Sequence, residues 1–298
     1  MQQTKYTLKL VLLKILKRIK LLDKFNFYVS REYNGKKIRI PFINGMGLTD
    51  YVLTNDWLDV LINSFVKEDN GAFIDVGVNI GQTLIRVKTV FPDINYIGFE
   101  PNSTCVAYSQ ILVKENQFKN CIIQNCALST SVQNLILRKT FLADSRASII
   151  SELRPNYFKN FDHVLALDYE SFFIDKKISF VKIDVEGAEY EVLCGMKAAL
   201  IKYKPIITCE VLDSHSLEQL DFTQERATKV CAFLKSIDYG IIQLNTNEIG
   251  IVGFSKIGSI KITQWTSKSY SLNDYVFYPI EIEKNVLSKM EAIKRKQF

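Results

Sequence analysis

Residues 73–83 read Phe73-Ile-Asp-Val-Gly-Val-Asn-Ile-Gly-Gln-Thr83, and this stretch decides the fold. The apolar run Ala72 to Val76 enters a loop marked by Gly77 and Gly81, and a segment of helical character, Ile80 to Val90, leaves it. A buried strand, a tight turn and a helix start form the unit on which α/β folds seat nucleotide-like ligands. A dinucleotide loop spaces three glycines as G-x-G-x-x-G. Here the third glycine is missing, and Asp75 stands two residues before the first. An acid at that point favours a ligand carrying a cation over one carrying a pyrophosphate.

A second acid follows at a telling distance. Asn95-Tyr-Ile-Gly-Phe-Glu100 reads as another strand, and its acid lies 25 residues after Asp75. In an α/β nucleotide fold that position accepts hydrogen bonds from ribose hydroxyls. S-adenosylmethionine has a ribose, an α-ammonium and a sulfonium, so it suits both acids. The competing reading makes Asp75 and Glu100 ordinary charged strand ends. It is weakened because both acids end apolar runs within one βαβ unit. Gly77 and Gly81 alone decide little, since glycines in loops are common.

Working outward, the pattern alternates. Strand 72–76, helix 80–90, strand 95–99, helix 102–115 and strand 121–126 come first. Residues 132–139 suit an extra strand, and 144–157 read as loop. Then come strand 179–184, helix 188–200, strand 205–210, helix 223–236, β-like runs at 239–244 and 274–278, and a helical tail, 282–298. Strands alternating with helices imply a mostly parallel sheet covered on both faces. Before residue 71 the chain offers short β-like stretches (Lys37 to Phe42) and a helix from Asn55 to Val66. The expected organisation is a basic helix and cap segment (1–70), the α/β domain (71–280) and a tail (281–298).

The 298 residues suffice for a well-buried core, and 47% hydrophobic with 23% charged residues describe a globular chain. Six scattered cysteines form no C-x-x-C, and several lie in apolar runs, which suits reduced thiols in the cytoplasm. With two histidines and no ligand spacing, a zinc site is disfavoured. The net charge of +6 sits on one segment. Residues 1–24 carry seven basic side chains (Lys5, Lys9, Lys14, Lys17, Arg18, Lys20, Lys24) against Asp23, and the remaining chain balances 31 basic with 31 acidic residues. A neutral body argues against a nucleic-acid groove.

The basic segment also has helical periodicity. Leu8, Val11, Leu12, Ile15, Leu16, Ile19 and Leu22 share one arc, with Lys9, Lys14, Lys17, Arg18 and Lys20 elsewhere. Its longest apolar run, Leu10 to Leu13, is too short to span a bilayer. Such a helix either packs on protein or lies on an anionic membrane, the inner face of the cytoplasmic membrane in this reading.

Three blocks together resemble the FkbM family of S-adenosylmethionine-dependent methyltransferases. They are Ile74-Asp-Val-Gly-Val-Asn-Ile-Gly81, where the family usually has Ala in place of Val78, then Gly98-Phe-Glu-Pro101, and Lys182-Ile-Asp-Val-Glu-Gly-Ala-Glu189 followed by Gly195 and Glu210. The third is the specific one, and the resemblance runs from about residue 72 to 211. It implies a Rossmann-like class I methyltransferase fold with a mostly parallel seven-stranded sheet, the last strand antiparallel. It also implies that Asp75, Gly77, Asn79, Gly81 and Glu100 contact the methyl donor. Val78, Thr83, Pro101 and Ala127 complete the expected donor pocket. Family members commonly methylate hydroxyls of natural products or of sugars in polysaccharides and glycolipids. The first 70 residues match no pattern of the family.

In a parallel sheet, ligands meet the carboxyl ends of strands. Asp184 ends one strand, Glu186 sits on its turn, and Glu210 ends the next, so Asp184, Glu186 and Glu210 are expected to converge beside the donor's methyl group. A carboxylate or imidazole there takes the acceptor's proton, which nominates these three with His215 as catalytic and Asp213 as a further candidate. Alternatively, Asp184, Glu186 and Glu210 hold a divalent metal, Mg²⁺ or Mn²⁺, that lowers the hydroxyl pKa. Glu186 and Glu189 also suit a simple helix opening. Lys182, inside a central strand, calls for an acidic partner, Asp184 or Glu210. His163 fits a strand edge.

The expected activity is methyl transfer to a hydroxyl of a sugar, glycan or glycolipid precursor. The alternatives are N-methylation of a sugar amine or small metabolite, and a catalytically silent scaffold at a membrane assembly.

Overall fold

The computed structural model describes residues 2–69, 71–154, 156–172, 176–247, 250–266 and 269–296, with the side chains of 2–7, 270 and 296 excepted. In chain order the elements are α1 (Gln2–Arg18), the hairpin β1 (Phe27–Tyr33) and β2 (Lys36–Phe42), α2 (Leu48–Val52), α3 (Trp57–Phe65), β3 (Ala72–Val76), α4 (Gln82–Val90), β4 (Asn95–Phe99), α5 (Ser103–Asn116) and β5 (Cys121–Gln124). Next come β6 (Ala127–Leu128), β7 (Gln133–Lys139), β8 (Asn160–Leu167), β9 (Ile178–Ile183), α6 (Glu189–Gly195), α7 (Lys197–Tyr203) and β10 (Ile206–Glu210). The chain closes with α8 (Leu220–Ser236), β11 (Tyr239–Thr246), β12 (Ile251–Ile257), β13 (Asp274–Pro279) and α9 (Glu283–Lys296).

The central sheet runs β12-β11-β13-β10-β9-β3-β4-β5. From β5 to β10 the neighbours are parallel, and β13 lies antiparallel between β10 and β11. This is the expected class I arrangement with one addition. An eighth strand, β12, pairs antiparallel with β11 at the edge. Its Gly253, Ser255 and Lys256 dilute the apolar signal, so the sequence pattern passes it over. A separate small sheet, β6-β8-β7, flanks the main one. There β8 buries Val164 and Ala166 while Phe161, His163 and Leu165 face outward. The helix expected over 188–200 is two helices that meet at Met196. A Cβ on Gly195 would sit 1.9 Å from the carbonyl oxygen of Ser129, so the chain packs there too closely for any other residue.

Strand alternation sorts the core into two faces. Ala72, Ile74 and Val76 of β3 face a cluster that takes Val192 and Leu193 from α6, Leu200 from α7 and Val230 and Leu234 from α8. Phe73 stacks between Tyr96 and Phe180 on the other face. That face is covered by the β1–β2 hairpin, α3, α4 and α9. The first 70 residues and the tail therefore share one core with the α/β body. A buried ionic knot secures them: Arg86 of α4 pairs with Asp56 at 2.5 Å and with Asp59, and Tyr33 donates to Asp59 at 2.8 Å. Asp56 also caps α3, its side chain accepting from the Leu58 N–H.

Sheet order turns back on itself between β3 and β9. Chain segments from β3 run outward through β4 to β5, whereas β9 leads through β10 to the other edge. At such a reversal of strand order a crevice opens at the strand ends. A cavity of about 1100 Å³ occupies it.

Candidate active site

The turn after β3 is built by backbone economy. Gly77 has φ +88°, and a Cβ on it would lie 1.8 Å from the carbonyl oxygen of Asp184. Only glycine lets the β3 and β9 loops approach so closely. The turn's N–H groups are all spent internally. Gly77 and Val78 donate to the Phe99 carbonyl, Asn79 to Glu100 Oε2, Ile80 to the Asn79 side chain and Gly81 to the Val78 carbonyl. A dinucleotide loop offers these donors to a pyrophosphate. Here they fix the loop's own shape and the acid beside it.

Glu100 follows β4 and lines the cavity. Its two oxygens accept the Asn79 and Asn102 N–H groups, each at 2.8 Å. Each oxygen retains a second acceptor site. Burial pushes the carboxyl up to about 7, against the pull of those two N–H bonds. Val78, Asn79, Thr83, Pro101 and Ala127 also line the cavity, whose apolar wall includes Phe99 and Leu128.

Asp75 departs from its expected place. It is wholly buried on the side of the sheet that carries Phe73, and its carboxylate turns away from the cavity. The Tyr96 hydroxyl donates to its Oδ2, and Lys182 Nζ lies 3.4 Å from its Oδ1. Burial raises its pKa and Lys182 opposes that rise. Asp75 therefore acts through Lys182. The lysine also reaches the Gly77 carbonyl at 2.9 Å and Asp184 Oδ2 at 3.2 Å. Burial alone would lower the ammonium's pKa, but Asp184 and Asp75 outweigh burial and hold it above its usual range. The partners of this strand lysine are thus Asp184 and Asp75, with Glu210 one step beyond. Gly81, at φ +94°, caps α4 from behind the cavity wall.

At the ends of β9 and β10, Asp184, Glu186, Glu210 and His215 do converge on the cavity. Their roles separate by partner. Asp184 has the open face, with its side chain 41% exposed. Beside it, burial, then the neighbouring Asp184 and Asp274, push the Glu210 carboxyl well up. Glu186 turns to Arg154 at 2.7 Å. Burial lifts it to about 7 although Arg154 pulls the other way. The Arg154 Nε donates to His215 Nε2 at 2.5 Å. Burial, then Arg154 and Arg146, lower the imidazole's pKa. With Nε2 occupied as an acceptor, the neutral ring carries its hydrogen on Nδ1. His215 is then a hydrogen-bond donor, and the sequence-based assignment of it as a base is corrected.

Asp213, the further candidate, is tied down by the Thr263 N–H at 2.9 Å and hydroxyl at 3.2 Å. Glu189 opens α6 and accepts from the Gly187 N–H. His163 lies exposed on β8. The alternative of a divalent metal on Asp184, Glu186 and Glu210 finds no support in the geometry. Among the described residues no group of three or more His, Cys, Asp or Glu is placed to hold a metal ion. Arg146, Arg154 and Lys182 bring positive charge to this rim. Arg154 itself was missed by sequence reasoning. It lies in the loop-like stretch 144–157, where nothing marks one arginine from another. Asp274 was missed because only the antiparallel pairing of β13 with β10 sets it opposite Glu210.

A sequence profile described as the Methyltransferase FkbM domain matches residues 75–240, more than half of the chain. The chain belongs to the FkbM methyltransferase family. Methyltransferase 1 from Beauveria bassiana (strain ARSEF 2860) is 22% identical over 201 residues, covering 61% of this chain and 76% of that relative. A solved FkbM methyltransferase from Methylobacillus flagellatus KT superposes on 70% of this chain at 17% identity and TM-score 0.42. The alignment covers 44% of that structure, so this chain spans under half its length. A putative caffeoyl-CoA O-methyltransferase from Staphylococcus aureus aligns over 94% of this chain and all of its own at 13% identity and TM-score 0.42.

The cavity residues of this FkbM-family chain fit S-adenosylmethionine. Glu100 has acceptor sites for ribose hydroxyls, Phe99 and Leu128 offer an apolar face, and the acids at the β9 and β10 ends suit a cationic methionine.

Proposed function

We propose that this enzyme transfers the methyl group of S-adenosylmethionine to a hydroxyl of a sugar, glycan or glycolipid precursor, with Asp184 as the proton acceptor. The observation that carries this reading is the convergence of Asp184 and Glu210 on the cavity at the ends of β9 and β10, with Glu100 at the end of β4 on the other side of β3. When bound, the donor supplies an electrophilic methyl group whose bond to sulfur breaks as the acceptor oxygen attacks. Asp184 takes the acceptor's proton, with the Glu210 carboxyl beside it. Lys182 fixes Asp184 from its other side at 3.2 Å. Arg154 and Glu186 hold the rim's shape without reaching for the proton. Positioning supplies much of the rate, and the base adds roughly 10²–10⁴-fold.

A sugar acceptor is supported by the polar and aromatic part of the cavity lining. Asn44, Thr49, Arg146 and the half-exposed Trp265 belong to it, a mixture of hydrogen-bonding groups and one aromatic face. Mass spectrometry of candidate glycans incubated with donor tests the reading. Transfer of one methyl group is expected, with Asp184→Asn lowering kcat about 10²–10⁴-fold while S-adenosylhomocysteine binds nearly as before. Near-normal turnover in that variant would show that the base lies elsewhere.

A further inference from the structure

The first helix does not use its apolar stripe as a packing surface. α1 seats on the body through Leu13, which is 5% exposed, with Leu10 and Leu16 partly buried beside it. Leu8, Val11, Leu12, Ile15 and Ile19 are each at least half exposed. At the helical turn angle these five span an arc of about 100° on the side away from Leu13. Leu16 and Leu22, expected in the same stripe, belong instead to the body, Leu22 in the 3-10 turn Leu22–Lys24. Lys14 and Arg18 border the stripe on one side and Lys9 borders it on the other, all exposed. Five large apolar side chains standing in water on one helix face call for a partner.

Charge says which partner. The entire +6 resides on residues 1–24, and the rest of the chain is neutral. A second copy of α1 would bring like charges together, whereas an anionic bilayer meets both the charge and the stripe. Geometry adds a connection to the site: Lys17, near the end of α1, and Asp23 line the cavity. Among the described residues no helix is long and apolar enough to cross a membrane.

We propose that α1 docks the enzyme flat on an anionic lipid surface, with the stripe in the acyl boundary and the cavity rim held beside the headgroups. The acceptor would then be a lipid-linked sugar reached at the surface, a consequence that rests on the proposed glycan activity. The docking itself does not. Each basic side chain near an anionic surface strengthens binding, and salt weakens it.

The test is co-sedimentation of the full chain with phosphatidylglycerol–phosphatidylcholine vesicles and with phosphatidylcholine alone. Binding to the anionic vesicles and release at high salt are expected. Leu12→Asp combined with Ile15→Asp changes exposed positions only and should weaken partitioning at least about tenfold. Lys14→Glu with Arg18→Glu should do the same. In both variants S-adenosylhomocysteine affinity and the unfolding midpoint should stay as in the parent, which separates docking from the catalytic reading. Equal pelleting of parent and variants overturns the proposal. So does a lipid-free dimer, seen by light scattering, that the Leu12 and Ile15 changes convert to monomer, since the stripe would then be a protein interface. Loss of glycan methylation with vesicle binding intact would overturn the acceptor reading and leave docking standing.

Discussion

Lys182 ties Asp75, Asp184 and the Gly77 carbonyl together, and its removal has a calculable consequence. In Lys182→Met the stem volume is kept and the charge lost. Asp75, wholly buried, then has no cation beside Oδ1, an atom with no hydrogen-bond partner of its own. Breaking a buried ion pair from one side costs about 3–5 kcal/mol. Loss of the 2.9 Å bond to the Gly77 carbonyl adds about 1 kcal/mol. The Tyr96 hydroxyl still reaches Asp75 and offsets part of this. A net loss of about 3–4 kcal/mol near pH 7 is expected. The loss should shrink in acid. Without Lys182, the folded-state pKa of Asp75 rises further above its unfolded value, so the folded state binds the extra proton. Stability of the variant is then greatest below the unfolded pKa of about 4 and falls by about 1.4 kcal/mol per unit as pH rises towards the folded pKa. Urea unfolding at several pH values measures this. Adding Asp75→Asn to Lys182→Met should restore most of the loss, because the orphaned charge is gone. A loss below about 1 kcal/mol near pH 7, or a double variant no more stable than Lys182→Met, would refute the assignment of Lys182 as counter-ion.

Other outcomes follow from the same geometry. Glu100→Ala should abolish measurable S-adenosylhomocysteine binding by calorimetry. It should also destabilise the fold, since it strands the Asn79 and Asn102 N–H groups at about 1–3 kcal/mol each; unchanged stability would mean those bonds do not form. Gly77→Ala, forced to φ +88° and against the Asp184 carbonyl, should cost about 3 kcal/mol, whereas Gly258→Ala, with open space around it, should cost under about 0.5 kcal/mol in the same denaturation assay. Burial pushes the Asp50 carboxyl up to about 8. Tyr108 has one hydrogen but sits 2.8 Å from the Pro41 carbonyl and 2.9 Å from Asp50, so Asp50 supplies the second proton. The protein should lose stability as pH rises from about 4 to about 8, and Asp50→Asn should flatten that slope by up to about 1.4 kcal/mol per pH unit. Parallel pH profiles for the two proteins would refute a neutral Asp50.

Elements whose signal is local could be read without the structure. The strand at 72–76, the glycine turn and the acid after 95–99 were legible because a buried parallel strand writes a continuous apolar run and its ligand-facing residue must come at its end. The convergence of Asp184, Glu186 and Glu210 was legible for the same reason: each ends, or follows within three residues, a strand of one parallel sheet. The N-terminal helix was legible from its period. What the sequence left open is whatever depends on which side chain meets which across long separations. Asp75 and Asp184 are both acids at strand ends, yet the pleat turns Asp75 into the core towards Tyr96 and leaves Asp184 on the cavity. Arg154 gains its place only because the 140–154 loop folds over the cavity, tied by Asn102 to Leu142 and by Ser148 to Glu186. With Arg154 on its Nε2, His215 becomes a donor instead of a base. β12 is an edge strand, paired on one side and half solvated, so its mixed composition carries no pattern of its own. The apolar arc of α1 was visible in the sequence, but only packing decided which part meets the body and which faces out. Periodicity fixes the angles between side chains on a helix, and the surface it lands on fixes which of those angles is buried.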